Sequence, residues 1–480
     1  MWKRRGRIHF NMFRCHEEAE AKEETEPRRY VKLSDHLRAQ ADVFTAAAVA
    51  MEQVERVLAE EPLKRQKVAA TPAPVPMVEE DEWEDKDEEE AEEEAEAEEE
   101  AEAEAEEEEG KGERKLCDAA RRIQEELLRS DNYESRKYLA VDAEGKGSMA
   151  RVQELLETYG VCVCPKVLRP SECAQMVSDM WDFLEMVTAN AAAAPLPRAT
   201  KRNQHPQPLR PVKRDDPTTW KTANKLLLTH GIHKHWGVGH ADVMWKLRQH
   251  PTILTIFSRL WDVDRSGDDL LTSLDGFAFV PPPETTGSGW QSRSNSWLHC
   301  DQSFTRPGFQ CWQSWVTGVD VRPGDGTFCF LEGSHKHHSA FQQRFQTTDK
   351  DDWFLLKTDQ QHDFFTQEKA CPLKRIACPK GSLVIWDSRL IHSGCGPIQS
   401  RTQPRERCVA YLCYMPRHMA TKADLKKKQK AFEAQRTTSH WPVKTKLNQK
   451  PGSRNVDISW IGSGAVKPVM TPKLKRLLGY

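Results

Sequence analysis

The chain has 480 residues, 30% of them Asp, Glu, Lys or Arg, and a formal net charge of −3; that length suits two or three average domains. The near-neutral total hides a polarised molecule, because residues 79–109 hold 23 acids and one Lys, about −22, which leaves about +19 on the remainder. No run of about eighteen apolar residues is present, so no membrane-spanning helix is expected, and the basic start Met1-Trp2-Lys3-Arg4-Arg5 lacks the apolar stretch of a secretory signal.

The 13 cysteines form no CxxC pair, which argues against a zinc site or a disulfide framework and for reduced thiols. The expected compartment is intracellular, cytoplasmic or nuclear, with an organelle left open. Residues 1–115 read as a low-complexity, largely disordered region. Within it, apolar residues at helical spacing predict one helix over 37–63, and the Pro-rich stretch 71–76 predicts an extended linker. The acidic run is read as a solubilising spacer, with contact to a basic protein partner or to the chain's own basic regions as its functional alternative.

Folding resumes near residue 116 with a short amphipathic helix to Leu128. The pattern then becomes helix, strand, helix: Leu155 and Leu156 before Gly160, the strand Val161-Cys162-Val163-Cys164, and a helix opened by Pro170-Ser171-Glu172. Cys162 and Cys164 are read as buried apolar residues. An Ala-, Pro- and Lys/Arg-rich loop is expected over 190–218, and a helix from Pro251 to Trp261. His240 is read as a structural hydrogen-bonder.

From Asp275 onward the sequence becomes short strands broken by Gly, Pro and Asp. Strands are predicted at 312–321, 327–331, 374–377, 382–386 and 408–414, a pattern that suggests a sandwich or jelly roll. The polar, aromatic insert 337–371 is a candidate lid. The residues after 420 read as a basic extension that ends in an amphipathic basic helix candidate over 472–480, with a solvated surface or a dock for the acidic run as its role. No nucleic-acid motif accompanies its lysines, so a nucleic-acid partner is disfavoured.

The chemistry sits in two pieces, Trp297-Leu298-His299-Cys300-Asp301 and Trp386-Asp387-Ser388-Arg389-Leu390-Ile391-His392. On a strand, His299 and Asp301 point to one side. A distant His392 would complete a two-His, one-carboxylate facial triad with open positions, a cradle for non-haem Fe(II). Taken alone, His299 as a turn cap and Asp301 as a surface charge is the simpler reading.

The ordered set changes that balance. His299-Cys300-Asp301, Trp315-Val316-Thr317, Asp325-Gly326-Thr327, Gly333-Ser334-His335-Lys336, Gly381-Ser382-Leu383-Val384-Ile385-Trp386, His392 and Arg407 together resemble the phytanoyl-CoA dioxygenase-like family of Fe(II)/2-oxoglutarate oxygenases, over roughly residues 151–418. The resemblance implies an α+β, mainly β core: a double-stranded β-helix (jelly roll, cupin-like) with packed helices. The domain is expected over 116–420, its β-helix core about 270–418, and the basic extension over 421–480. It further implies that His299, Asp301 and His392 bind iron, that Arg407 holds the distal carboxylate of 2-oxoglutarate with Arg405 and Arg401 as alternates, and that Trp315 walls the co-substrate pocket. Halogenating relatives carry a small residue at the carboxylate position; with Asp301 present, the resemblance implies hydroxylation of a small-molecule or lipid-like substrate with release of succinate and CO2. The alternative is a catalytically silent β-helix scaffold that binds partners through its charged segments.

Overall fold

Alternating apolar side chains along short segments make strands, and their pairing builds the molecule. The computed structural model describes residues 116–141, 147–193, 210–226, 231–264, 266–293, 296–349, 352–447 and 467–480. The helix expected over 37–63, the linker 71–76 and the acidic run 79–109 lie outside the described residues.

In chain order the strands are β1 (Tyr133–Glu134), β2 (Val161–Cys164), β3 (Leu270–Thr272), β4 (Phe277–Val280), β5 (His299–Cys300), β6 (Trp312–Thr317) and β7 (Thr327–Leu331). Then come β8 (Phe354–Leu355), β9 (Leu373–Ile376), β10 (Leu383–Asp387), β11 (His392–Cys395), β12 (Arg407–Tyr411) and β13 (Tyr414–Pro416). One sheet has the order β1-β9-β7-β11-β5-β8 and the other β2-β10-β6-β12-β4; β13 and β3 form a separate pair. Apart from the parallel β1–β9 contact, these ladders are antiparallel.

Each large sheet has two unlike faces, because successive side chains point opposite ways. Val163, Trp315, Phe328, Phe330, Val384 and Val409 meet in one cluster drawn from both sheets. The other face of the five-stranded sheet carries Cys162, Phe279, Ile385 and Cys408 against helices Met149–Tyr159, Pro170–Ala193 and Pro251–Leu260. The outer face of the six-stranded sheet carries Cys329 and Leu331 against Leu127, Phe341 and Phe365. Burying one such side chain is worth about 1.5–3 kcal/mol, and a one-residue slip would turn every strand's apolar set to the wrong face. Packing therefore fixes which way residue 392 looks.

Helix ends follow local chemistry. The Ser148 side chain accepts a hydrogen bond from Arg151 N and caps helix Met149–Tyr159, which Gly160 closes at φ 79°. A Cβ at Gly160 would also meet His335 Nδ1 at 2.5 Å, so only glycine fits there. The helix begun at Pro170 runs to Ala193; the expected loop starts later than residue 190 because alanine favours helix. The strand expected over 408–414 breaks in two: β12 pairs with β4 and β6, β13 with β3.

Two readings are corrected. The insert 337–371 is not a lid as a whole, since Phe341, Phe364 and Phe365 pack on the outer face of the six-stranded sheet. The residues past 420 are not a solvated extension throughout. Ala431, Phe432, Leu474 and Leu478 bury with Trp245 and Leu274, and Trp441 and Val443 bury with Leu271, Cys413 and Met415. Lys428 is itself buried, its ammonium donating to Pro442 O at 3.0 Å. Among the described residues no helix is long and apolar enough to cross a membrane.

Four buried histidines make stability acid-sensitive. Burial lowers His233, His240, His335 and His338 from 6.5 to about 4. Unfolding frees them to titrate near their ordinary value, so between about pH 6.5 and 4 the unfolded chain binds more protons and stability falls as pH falls. Acid unfolding is expected to take up as many as about four protons near pH 5 from this group, measurable from the pH dependence of chemical unfolding; a pH-independent stability across that window would contradict it.

Candidate active site

The site forms where β11 runs antiparallel beside β5, with His392 directly opposite His299. Asp301 follows β5 by one residue. Its Oδ1 lies 3.3 Å from His299 Nε2 and its Oδ2 3.2 Å from His392 Nε2. One donor atom from each residue falls within 4.8 Å of the others, close enough to share one ion. The structure thus brings together all three residues expected at the metal.

The supporting contacts fix the tautomers. His299 Nδ1 is 2.8 Å from Trp297 O, and His392 Nδ1 is 2.9 Å from Leu390 O. A carbonyl can only accept, so each Nδ1 carries the proton and each Nε2 keeps its lone pair for a metal. Gln313 Nε2 donates to Asp301 Oδ2 at 2.7 Å. The Trp297 ring stacks on His299 with centroids 5.0 Å apart. Burial would raise the Asp301 carboxyl, but the imidazoles of His299 and His392 beside it outweigh burial and hold the group well below the usual carboxylate range. Burial, aided by His299, holds His392 below the ordinary histidine range.

Alternation on the neighbouring strands assigns the remaining residues. Val409 and Tyr411 of β12 border the cluster between the sheets, whereas Cys408 and Ala410 pack on the helices. Arg407 therefore shares the inward parity of Val409 and Tyr411. Its Nη2 donates to Tyr411 Oη at 3.3 Å, and Tyr411 lies opposite Trp315. The alternates are otherwise engaged. Arg401 pairs with both oxygens of Glu284, at 2.7 and 2.5 Å, and with Asp325; Arg405 Nε donates to Asp325 Oδ2 at 2.8 Å.

Several neighbours escape a motif reading. Gln313 and Trp297 each lie two residues from a residue singled out above, and Tyr411 four from Arg407, so alternation could have found them. Trp353, with its ring 5.9 Å from His299, carries no local signal. Cys300 packs outward with Leu298 and Phe341. Ser393 also faces away, its Oγ 3.0 Å from Cys329 Sγ. His240 is the structural hydrogen-bonder expected, 2.9 Å from Arg436 O. The histidines near 335–338 form no second cluster of metal-ligand type among the described residues.

The family model described as Phytanoyl-CoA dioxygenase (PhyH) matches residues 156–405. The chain belongs to this family. A curated protein of Aspergillus versicolor, "Ava biosynthesis cluster protein O", is 27% identical over 233 residues, 47% of this chain and 71% of that protein. Among solved structures, the epimerase SnoN in complex with Fe3+, alpha ketoglutarate and nogalamycin RO aligns with TM-score 0.32 and 16% identity, over 56% of this chain and 83% of its own. The hypothetical protein JW0805 from Escherichia coli aligns with TM-score 0.42 and 13% identity, over 76% and 90%.

As a phytanoyl-CoA dioxygenase family member with this triad, the chain is a non-haem oxygenase whose cofactor is Fe(II) and whose co-substrate is 2-oxoglutarate. The donor set fits: two neutral imidazoles and one ionised carboxylate suit borderline-hard Fe(II) and leave coordination positions open. The space between the sheets fits an oxygen-rich co-substrate as well, because the indole N–H groups of Trp315 and Trp386 are buried there without a hydrogen-bond partner.

Proposed function

We propose that this oxygenase hydroxylates a small-molecule or lipid-like substrate on a double-stranded β-helix (jelly roll, cupin-like) scaffold. His299, Asp301 and His392 are its metal ligands, Arg407 takes the distal carboxylate of 2-oxoglutarate, and Trp315 walls the co-substrate pocket. The observation that carries the reading is the convergence of three ligand atoms, with both Nε2 lone pairs turned toward one carboxylate. Two sheets sharing one apolar cluster support the scaffold. The oxygenase unit begins near residue 116 and takes in the packed segments after 420.

Iron and 2-oxoglutarate, when bound, supply the oxidising power as O2 is consumed and succinate and CO2 are released. The chain's own residues orient and exclude. The carbonyls of Trp297 and Leu390 hold both imidazoles in their metal-binding tautomer. Gln313 keeps the Asp301 carboxylate from rotating. Arg407 offers a guanidinium that no carboxylate claims among the described residues, and its planar fork matches a carboxylate. An intact Asp301 fills the position a halide would need, which favours hydroxylation.

The test is anaerobic addition of Fe(II) to metal-free protein, followed by 2-oxoglutarate, O2 and a metabolite panel. One iron per chain and succinate release are expected. A chelator should stop turnover and lower the melting temperature, since a ligand at one hundred times its Kd adds about 2.7 kcal/mol to the native state. Failure to bind iron, or failure to release succinate with every panel member, would leave a non-catalytic, partner-binding β-helix protein.

A further inference from the structure

Gln313 holds the metal site with one end of its amide only. It lies on β6 and is 2% exposed. Trp315, two residues on, looks into the space between the sheets, whereas Val316 looks out at the helices. Alternation therefore turns Gln313 inward as well. Its Nε2 donates to Asp301 Oδ2 at 2.7 Å. An ionised carboxylate only accepts, so this contact fixes which way round the amide sits. With the nitrogen on Asp301, the oxygen points elsewhere. Gln313 Oε1 is shut off from solvent and has no hydrogen-bond partner among the described residues.

A buried acceptor without a donor is costly, and native structures keep such atoms mainly where a water, an ion or a ligand completes them. The co-substrate cannot complete this one. Ionised 2-oxoglutarate carries two carboxylates and a ketone, which accept hydrogen bonds and donate none. Strand register points the same way. Tyr411 stands opposite Trp315 and Val409 opposite Thr317, so Arg407, the proposed anchor of the distal carboxylate, lies toward the Thr317 end of β6. Gln313 lies toward the other end.

We propose that Gln313 Oε1 accepts a hydrogen bond from the substrate, which therefore carries a neutral donor, a hydroxyl or an amide N–H, close to the carbon that is oxidised. This rests on the oxygenase reading and adds to it a specificity-determining residue and the substrate's chemical class. The two ends of the amide then act together. A donor bound at Oε1 polarises the amide and strengthens the N–H that holds Asp301. An alkane or an ether in the same place would keep Oε1 buried and unpaired, and the site discriminates against it.

The experiment titrates cyclohexanol, menthol and cyclohexanecarboxamide, each beside a methylated partner that has lost the donor: cyclohexyl methyl ether, menthyl methyl ether and the N,N-dimethyl amide. Trp fluorescence of metal-free protein reports binding without iron. The charge-transfer band of the anaerobic Fe(II)–2-oxoglutarate protein reports loading by appearing and substrate binding by shifting. At least one donor is expected to bind about tenfold more tightly than its methylated partner, the worth of one hydrogen bond. Gln313→Leu should abolish that preference in the metal-free protein. Gln313→Glu, which keeps an acceptor at the same place, should retain it. A role confined to Asp301 predicts a different pattern: Gln313→Leu would lose iron affinity, about 10–100-fold, and leave the preference untouched. Thermal unfolding checks that both variants fold. The proposal is overturned if no donor outbinds its methylated partner, if Gln313→Leu keeps the preference, or if Gln313→Glu loses it; Oε1 then holds water only. Absence of the band from the unaltered protein would instead overturn the oxygenase reading, and the fluorescence titration would still decide the role of Gln313.

Discussion

Asp301→Ala is expected to lose iron and turnover together while the metal-free protein stays folded. The carboxylate is the only anionic ligand of the three, so its removal leaves two neutral imidazoles to compete with water for a divalent cation. Losing an outer partner of a metal ligand costs 10–100-fold in affinity; losing the ligand itself should cost at least about 10²-fold in Fe(II) affinity and bring succinate release below detection. Stability of the metal-free protein should fall modestly, because a carboxyl held well below its usual range in the native state stabilises that state when ionised, and its removal leaves Gln313 Nε2 without its acceptor. Asp301→Asn separates charge from shape, since its amide oxygen can still accept from Gln313 Nε2. It too should lose the metal. Titration of Fe(II) into each metal-free protein, with a melting curve alongside, checks the pair. A variant that still binds one Fe(II) as tightly as the parent would remove Asp301 from the ligand set.

What the sequence made legible was what is local. His299 and Asp301, two apart, had to share a side, and the structure puts both carboxylate oxygens against the two imidazoles. The predicted strand 327–331 coincides with β7, and the β10 prediction differs by one residue at each end. These are runs of four or more residues with strong apolar signals. The two-residue strands β1, β5 and β8 have no period to read, because they exist only through their partners. The helix expected over 472–480 is present as Pro472–Leu478, but the burial of the segments after 420 escaped for another reason. Lys422, Lys426, Lys427 and Lys428 dominate any local reading of charge, whereas burial there is decided by Ala431 and Phe432 on one helix and by Leu474, Leu477 and Leu478 on another. Their partners Trp245 and Leu274 lie far back in the chain.

The arginine assignment was equally open in sequence, with three candidates within seven positions, and it yields the second large effect. Arg407→Met is expected to raise the KM for 2-oxoglutarate about 100-fold, because a hydrogen bond to a charged group is worth about 1.5–3 kcal/mol and a two-pronged one lies at the upper end. Arg407→Lys should fall between, keeping the charge but not the planar fork. The contrast with the alternates makes the test sharp. Arg401 is almost wholly enclosed between Glu284 and Asp325, so Arg401→Met strands two carboxylates and should lower the melting temperature while leaving the KM of the folded fraction near normal. Arg405→Met frees one side of Asp325 and should do less of the same. Arg407 pairs with no carboxylate among the described residues, so its loss should hardly change the melting temperature of the metal-free protein. A KM for 2-oxoglutarate that is unchanged in Arg407→Met, or raised as far in Arg405→Met, would move the co-substrate's anchor elsewhere. The reason to expect otherwise is energetic: a guanidinium already committed to two acids must give up those pairs to greet a third, whereas one held, among the described residues, by the Tyr411 phenol gives up almost nothing.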